Sequence, residues 1–360
     1  MNGRIAILTA PRQIQIREYP VSPPGPGEIL LQVEQTNICG SEVHVWSGQH
    51  PGIFRHVLGH ELVGRVALVG PGRGTDSAGA PLAVGDLVTP TYFDTCHRCP
   101  SCARGEFFMC KNALLRWQNS PADPPHFIGS FATHYIVFPS QHCFKVPDNV
   151  PLSVAASANC ALSQVMFGID RVNPRAGSRA VVIGAGGLGL YASAVLHERG
   201  VKVVVLDRVA ERLALAPQFG AKNAIDTSSV EPAKRLSVIE AAAGGTVDTV
   251  IEVAGSLAAF VEGLEYVRDG GQYLIMGNVW PGQNASIDPG FLGRRALQLH
   301  FLRMYNPWYL KLALDFLSRT VSQYPYEVFA AESFSLDQVE EALLRSERYQ
   351  LARACLRPNP

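Results

Sequence analysis

The chain has 360 residues, of which 47% are hydrophobic and 17% are charged, and its 31 basic side chains balance 31 acidic ones. This composition is typical of a globular protein with about two domains, and it excludes a disordered chain. The zero net charge gives no electrostatic reason to bind nucleic acid or an anionic membrane, so we expect neither partner.

The N-terminal sequence, MNGRIAILTAPRQIQIREYP, lacks the basic and then apolar layout of a signal peptide. The longest apolar region, residues 180–196, is rich in glycine and too short to cross a bilayer comfortably. We therefore expect a cytoplasmic protein, in which clustered thiols are more often metal ligands than disulfides.

The first 160 residues predict an antiparallel β-domain, because short β-like runs are separated by turn signals. These runs are EILLQVEQT (28–36), ELVGRVALVG (61–70) and FATHYIVFP (131–139). Polar loops are expected at 73–86 and 118–127.

From about residue 162, buried strands alternate with helices, which is typical of a doubly wound parallel sheet. Strands are predicted at 179–185, 201–207, 248–255 and 271–279, and helices at 187–200 and 210–220. Two helical segments (308–317 and 336–346) and a strand-like end, ARACLRP (352–358), follow. We predict an α/β fold with domains at 162–302 and at 1–161, the latter completed by 303–360.

A glycine motif, Gly184-Ala-Gly186-Gly187-Leu188-Gly189, lies between the first strand and helix of the parallel sheet. Gly184 permits a tight turn, Gly186 lets the backbone approach a pyrophosphate, and Gly189 lets the helix pack closely on the strand. Asp207 ends the next strand and would accept hydrogen bonds from a ribose diol, which favours NAD over NADP, although Arg208 beside it weakens that preference. The alternative is a structural glycine turn.

Four cysteines, Cys96, Cys99, Cys102 and Cys110, have the spacing C-x2-C-x2-C-x7-C. Four thiolates so close together can surround one tetrahedral zinc ion, and a site with no open position would be structural. An iron–sulfur cluster is the alternative, whereas disulfides are disfavoured by the expected compartment.

Three further metal-binding residues, Cys39, His60 and Cys160, come from separate segments. Taken singly, each is most simply a buried thiol or a hydrogen-bonded histidine. Together they provide two thiolates and one imidazole, which is the ligand set of a catalytic zinc with its fourth position open.

The order of these motifs identifies the family. C-G-S-x-x-H, G-H-E, the four-cysteine lobe, Cys160 and G-x-G-x-x-G follow one another as in the zinc-dependent medium-chain dehydrogenase/reductase family, and the chain resembles its alcohol dehydrogenases over nearly its whole length. The resemblance implies a GroES-like catalytic domain with a structural-zinc lobe, a Rossmann domain, two zinc ions per chain and NAD.

The resemblance also implies roles for single residues. Cys39, His60 and Cys160 would bind the catalytic zinc, with Glu61 able to approach it. Glu42 stands where the family usually has an aspartate that orients the histidine ligand. Ser41 would share a proton with the substrate oxygen, and His44 would pass that proton onward.

Other positions match the family less completely. Gly40 stands where some members have a phosphate-binding arginine, and Arg353 aligns with a basic residue that reaches the cofactor pyrophosphate in some members. Tyr92, Trp46, Trp117 and Phe127 are candidates for the substrate cleft, with core packing as the alternative.

The predicted activity is hydride transfer between NAD and an alcohol, which we expect to be secondary or cyclic. The loop TDSAGAPL with CHRC resembles a bacterial branch acting on bulky cyclic alcohols, and polyol and threonine dehydrogenases usually have glutamate where this chain has Cys160. The alternatives are a polyol or amino-alcohol dehydrogenase, a C=C reductase, and a zinc- and nucleotide-binding protein without turnover. By analogy, segment 274–280 precedes a sheet edge at which a homodimer or homotetramer would form.

Overall fold

The structure is a computed structural model that describes residues 1–49, 56–277, 282–351 and 353–359. It divides the chain into two compact units, one formed by Met1–Ser163 with Asn306–Pro360 and the other by Gln164–Tyr305. Within the described ranges, no helix is both long enough and apolar enough to span a bilayer.

The strands are numbered along the chain. They are β1 Asn2–Ala10, β2 Gln13–Pro20, β3 Ile29–Asn37, β4 His56–Val57, β5 Glu61–Val69, β6 Leu87–Pro90, β7 His134–Val137, β8 Cys143–Lys145, β9 Arg179–Ile183, β10 Lys202–Asp207, β11 Asn223–Asp226, β12 Val247–Glu252, β13 Val267–Ile275, β14 Gln298–Phe301, β15 Ser333–Phe334 and β16 Cys355–Leu356.

The helices are numbered in the same way. They are α1 Gly40–Trp46, α2 Pro100–Ala103, α3 Leu152–Ala155, α4 Ser163–Val172, α5 Gly187–Glu198, α6 Ala210–Leu213, α7 Pro232–Ala243, α8 Leu257–Tyr266, α9 Pro289–Arg294, α10 Trp308–Thr320 and α11 Val339–Glu347. A π-helical turn spans Ala158–Leu162, and 3-10 turns include Leu115–Gln118, Ala216–Phe219 and Leu336–Gln338.

The first unit is built on two sheets. One has the strand order β2-β1-β4, and the other has the order β15-β16-β3-β5-β6-β8, with β7 also paired to β3. Alternate residues of β3 and β5, including Leu31 and Leu62, pack with Val88 and Tyr135 into one core. Because β16 pairs antiparallel with β3, the C-terminal tail belongs to this unit.

The second unit contains a six-stranded sheet in the order β11-β10-β9-β12-β13-β14, and every neighbouring pair is parallel. The central strands carry near-continuous Val and Ile runs because the interior of such a sheet is buried on both faces. Val181, Val204 and Val250 are at most 1% exposed. The predicted α/β fold, with a parallel sheet and a mainly antiparallel domain, is confirmed.

Some elements differ from the sequence predictions. The helix expected over 210–220 is interrupted: α6 ends at Leu213, and a separate 3-10 turn contains Pro217, whose ring disfavours a continuous α-helix. The strand expected at 271–279 runs instead from Val267 to Ile275, and Asn278 and Val279 lie outside the described residues. The predicted sheet-edge segment 274–280 likewise extends beyond the described residues.

Candidate active site

Four side chains from distant parts of the first unit converge on one point. Cys39, His60, Glu61 and Cys160 each offer one donor atom, and these four atoms all lie within 4.8 Å of one another. His60 Nε2 is 3.3 Å from Cys160 Sγ, close to the separation of about 3.6 Å that tetrahedral Zn–N and Zn–S bonds require. The donor set fits a zinc ion.

Local structure explains this convergence. Cys39 directly precedes α1, while Glu61 begins β5 and is preceded by His60. Cys160 lies in the π-helical turn, and irregular turns of this kind often occur at functional sites. The neighbouring Asn159 Nδ2 donates hydrogen bonds to the carbonyl oxygens of His60, at 2.8 Å, and Pro90, at 2.9 Å. These bonds hold the turn against β5.

Glu42 orients the histidine. Its Oε1 lies 2.5 Å from His60 Nδ1, and its Oε2 accepts a hydrogen bond from the Cys39 amide at 2.7 Å. The longer side chain therefore reaches the ring nitrogen that the family's aspartate usually contacts, and His60 Nε2 is left facing the thiols. Hydrogen bonding from Cys160 lowers the pKa of the Cys39 thiol well below its usual value, against the opposing effect of burial.

A buried ion pair lies beside the donor atoms. Arg353 Nη1 contacts Glu61 Oε2, and the two side chains are 5% and 0% exposed. Burial raises the pKa of Glu61 to about 8, although the positive charge of Arg353 opposes that rise. Glu61 Oε1 has no hydrogen-bond partner among the described residues, so one oxygen remains able to meet a cation. Nothing in the sequence indicates this ion pair, and the expected contact of Arg353 with the cofactor pyrophosphate stays a prediction.

The two residues expected to move the substrate proton lie on α1. Ser41 is in its first turn, two residues after Cys39, and His44 follows one turn later. His44 Nδ1 is 2.7 Å from Gln49 Oε1, so in the tautomer with a proton on Nδ1 that proton is donated to the amide oxygen.

Of the four aromatic candidates, Tyr92 approaches the donor cluster, and Trp117 contacts the backbone of Tyr92. The ring of Tyr92 lies 4.9 Å from that of His60, and Trp117 Nε1 donates to the Tyr92 carbonyl at 3.2 Å. Arg116, which sequence reasoning missed, donates to the same carbonyl at 2.7 Å.

The other two candidates lie in the hydrophobic core, where Trp46 is 3% and Phe127 is 1% exposed. Trp46 belongs to the same core cluster as Ala6 and Phe131, and Phe127 belongs to the core cluster that contains Ile5 and Val57. This burial favours the core-packing alternative for Trp46 and Phe127.

A second donor cluster contains only sulfur. The Sγ atoms of the four cysteines of the lobe lie within 4.8 Å of one another, and those of Cys96 and Cys102 are 4.0 Å apart. A tetrahedral zinc with Zn–S bonds of about 2.3 Å requires S–S separations of about 3.8 Å. Backbone N–H groups of Cys102 and Lys111 lower the pKa of Cys99 to about 6, which favours the thiolate that a metal needs.

The glycine motif of the second unit joins β9 to α5. Gly184 has a φ of +110°, which a residue with a side chain rarely adopts. A Cβ on Gly189 would lie 1.8 Å from the carbonyl oxygen of Gly184, so only glycine lets the helix approach this closely. Gly187 and Leu188 begin α5, whose first amides are available to a phosphate group.

Asp207 lies at the carboxyl end of β10. Its Oδ2 accepts a hydrogen bond from the Ala185 amide at 2.6 Å, and its Oδ1 accepts from the amides of Arg208, at 2.6 Å, and Val209, at 3.0 Å. The carboxylate is thus fixed beside the glycine motif, while Arg208 is exposed.

Replacing Glu42 by glutamine is expected to weaken zinc binding at the Cys39–His60–Cys160 site by about tenfold, because the carboxylate that orients His60 loses its charge. Competition with a chromophoric chelator measures this affinity. The control is Glu34→Gln, which alters a half-buried glutamate of β3 paired with Arg65. Equal zinc affinity in the wild type and Glu42→Gln would contradict the orienting role.

Two family models match the chain: "Alcohol dehydrogenase GroES-like domain" over residues 25–148 and "Zinc-binding dehydrogenase" over residues 187–319. A relative from Pseudomonas putida, 5-exo-hydroxycamphor dehydrogenase, is 30% identical over 350 residues, which cover 95% of this chain and 94% of that protein. The chain belongs to the zinc-dependent medium-chain dehydrogenase/reductase family.

Other proteins are also similar to this chain. The L-threonine 3-dehydrogenase of Pyrococcus furiosus is 31% identical over 282 residues, covering 76% of this chain and 74% of that protein. Among solved structures, an alcohol dehydrogenase from Thermotoga maritima matches with a TM-score of 0.92 and 25% identity over 100% of both chains.

Proposed function

We propose that this protein is a zinc-dependent, NAD-linked alcohol dehydrogenase. The observation that carries the proposal is the convergence of the Cys39, His60 and Cys160 donor atoms in a member of this family. Three protein ligands, two of them thiolates, leave one position for a substrate oxygen. The same ligand set argues against a C=C reductase, because reductases of this fold generally lack it.

Each zinc ion has a proposed set of ligands. Cys39, His60 and Cys160 would hold the catalytic ion, and the four cysteines of the lobe would hold a structural one. Zinc supplies Lewis acidity, which lowers the pKa of an alcohol or polarises a carbonyl group. Glu42 would keep His60 in the tautomer that presents Nε2, and Glu61 would remain a reserve oxygen donor held by Arg353.

The proton and the hydride leave the alcohol by different routes. The Ser41 hydroxyl would accept the alcohol proton and pass it to His44, whose Nδ1 proton is held by Gln49. Bound NAD⁺ would supply the hydride acceptor, so that one alcohol and one NAD⁺ would give one carbonyl compound, one NADH and one proton. Tyr92 and Trp117 would form an apolar wall for the substrate carbon skeleton.

The second unit would bind the dinucleotide. The amino end of α5 would accept the pyrophosphate, and Asp207 would accept hydrogen bonds from the adenosine ribose hydroxyls. A 2′-phosphate would meet the negative charge of Asp207, which supports NAD, although the exposed Arg208 would partly offset that repulsion.

A secondary or cyclic alcohol is the substrate class we favour. The support is the similarity to the hydroxycamphor dehydrogenase and the thiol ligand Cys160. A threonine or polyol dehydrogenase is the second candidate, because a threonine dehydrogenase has nearly the same sequence identity to this chain.

We also propose a homodimer or homotetramer, since β14 pairs on one side only in the described sheet and its Phe301 is 68% exposed.

The test of this function is formation of NADH, followed by absorbance, with the zinc-loaded protein. Cyclic secondary alcohols, primary alcohols, polyols and L-threonine are compared, each with NAD⁺ and NADP⁺. Turnover of cyclic secondary alcohols with NAD⁺ supports the proposal. Turnover of L-threonine alone would favour the second candidate, and a zinc-loaded protein that binds NAD⁺ but oxidises nothing would indicate a binding protein.

A further inference from the structure

A polar cavity of about 310 Å³ in the first unit is lined by none of the donor atoms of the two metal clusters. Three parts of the chain form its walls: the loop 72–77, the turn containing Gln141 and His142, and His97 from the cysteine lobe. Neither the proposed reaction nor the cofactor uses these residues. The cavity is therefore a candidate for a separate ligand.

Arg73 brings a positive charge to this cavity. Its two terminal nitrogens donate to the carbonyl oxygens of Gly27, at 3.4 Å, and Gln141, at 3.3 Å, both near the upper limit for a hydrogen bond. None of the ion pairs among the described residues includes Arg73. An arginine held this loosely can still bind an anion.

His142 supplies a second polar group. Its Nδ1 is buried and has no hydrogen-bond partner among the described residues, which is costly for a polar atom. Burial, together with the charges of His97 and Arg73, lowers the pKa of His142 to about 4, so the ring is neutral and can donate one N–H. The rings of His142 and His97 lie 5.9 Å apart.

The acidic residue in the wall is already satisfied. Asp76 Oδ1 accepts hydrogen bonds from the amides of Ala78, at 2.8 Å, and Ala80, at 2.9 Å, and its Oδ2 accepts from the Lys145 amide at 3.1 Å. Three peptide dipoles therefore stabilise this carboxylate. Ser77 Oγ accepts from the Cys143 amide at 3.0 Å, so its own proton can be donated to a ligand.

We propose that this cavity binds a small oxyanion, inorganic phosphate or a phosphate monoester, through Arg73, His142 and Ser77. Phosphate oxygens accept several hydrogen bonds at once and match a guanidinium group and a buried N–H donor. The bound anion would give His142 Nδ1 its missing partner. It would also link the loop 72–77 to His97, which lies in the lobe between Cys96 and Cys99.

The experiment is calorimetric titration of the zinc-loaded protein with sodium phosphate and, in a second arm, with glycerol 3-phosphate. Ionic strength is held constant with sodium chloride, and saturating NAD⁺ prevents phosphate from binding at the glycine motif. We expect one saturable site per chain. The arm with the tighter binding distinguishes the free ion from the monoester.

Two variants test which residues form the site. Arg73→Met and His142→Phe should each weaken binding at least tenfold, because each removes a donor, while Arg319→Met, an exposed arginine of α10, should bind as the wild type does. Unfolding midpoints without phosphate check that the variants fold. Absence of saturable binding to the wild type in both arms, or unchanged affinity in folded Arg73→Met, would overturn the proposal.

Discussion

The variant Cys39→Ala is expected to contain one zinc ion per chain instead of two and to lose at least a factor of about 10³ in kcat/KM. Lewis-acid stabilisation is worth several kcal/mol, and about 4 kcal/mol corresponds to a thousandfold in rate. Without Cys39 only two of the proposed zinc ligands, His60 and Cys160, remain, and a catalytic zinc site needs three protein ligands. Metal analysis of the purified variant and steady-state kinetics measure both effects.

Cys355→Ala is the matched control for this experiment. Cys355 is likewise a free cysteine, and it is buried. It lies outside both donor clusters, and its Sγ contacts only the Glu332 carbonyl, at 3.3 Å, among the hydrogen bonds of the described residues. This variant should keep two zinc ions and nearly full turnover. If Cys39→Ala kept full turnover while folded, the proposed mechanism would be wrong.

The variant Cys102→Ala should lose the other zinc ion and lower the unfolding temperature by at least about 5 °C, because loss of a structural metal ranks among the most destabilising single changes. The lobe from residue 96 to 110 buries three of its four cysteines but leaves Met109 48% exposed, so it has little apolar core of its own. Thermal unfolding and metal analysis measure the outcome.

Ser101→Ala, a neighbouring change in α2, is the control for that variant and should leave the unfolding temperature and zinc content unchanged. The two variants should therefore have distinct effects. Cys39→Ala should lose turnover with little loss of stability, and Cys102→Ala should lose stability while keeping much of its turnover. An unaltered unfolding temperature in Cys102→Ala would show that the lobe needs no metal.

Local patterns explain why the four-cysteine cluster and the parallel sheet could be predicted. The four cysteines of the lobe occupy fifteen residues, and G-x-G-x-x-G follows directly on the apolar strand β9. These motifs can be recognised within one short segment, without knowing which distant residues are in contact. The convergence of Cys39, His60 and Cys160 came instead from the order of motifs, because nothing in any one segment indicates the others.

Contacts between distant residues could not be predicted. Glu61 and Arg353 are 292 positions apart, and the pairing of β3 with both β5 and β16 brings their segments together. The contact of Arg116 with Tyr92 could not be predicted, because nothing in the sequence distinguishes a buried arginine from an exposed one. The β1–β2 hairpin was missed because its turn places Arg12, rather than a glycine, at a φ of +60°.

The central claim is that Cys39, His60 and Cys160 bind one zinc ion with an open position. Anomalous difference maps from crystals of the purified protein, measured just above and just below the zinc absorption edge, test it directly. The account predicts two zinc peaks per chain, one bonded to these three side chains and one surrounded by the four cysteines of the lobe. A single peak in the lobe, with the three side chains pointing apart, would contradict it.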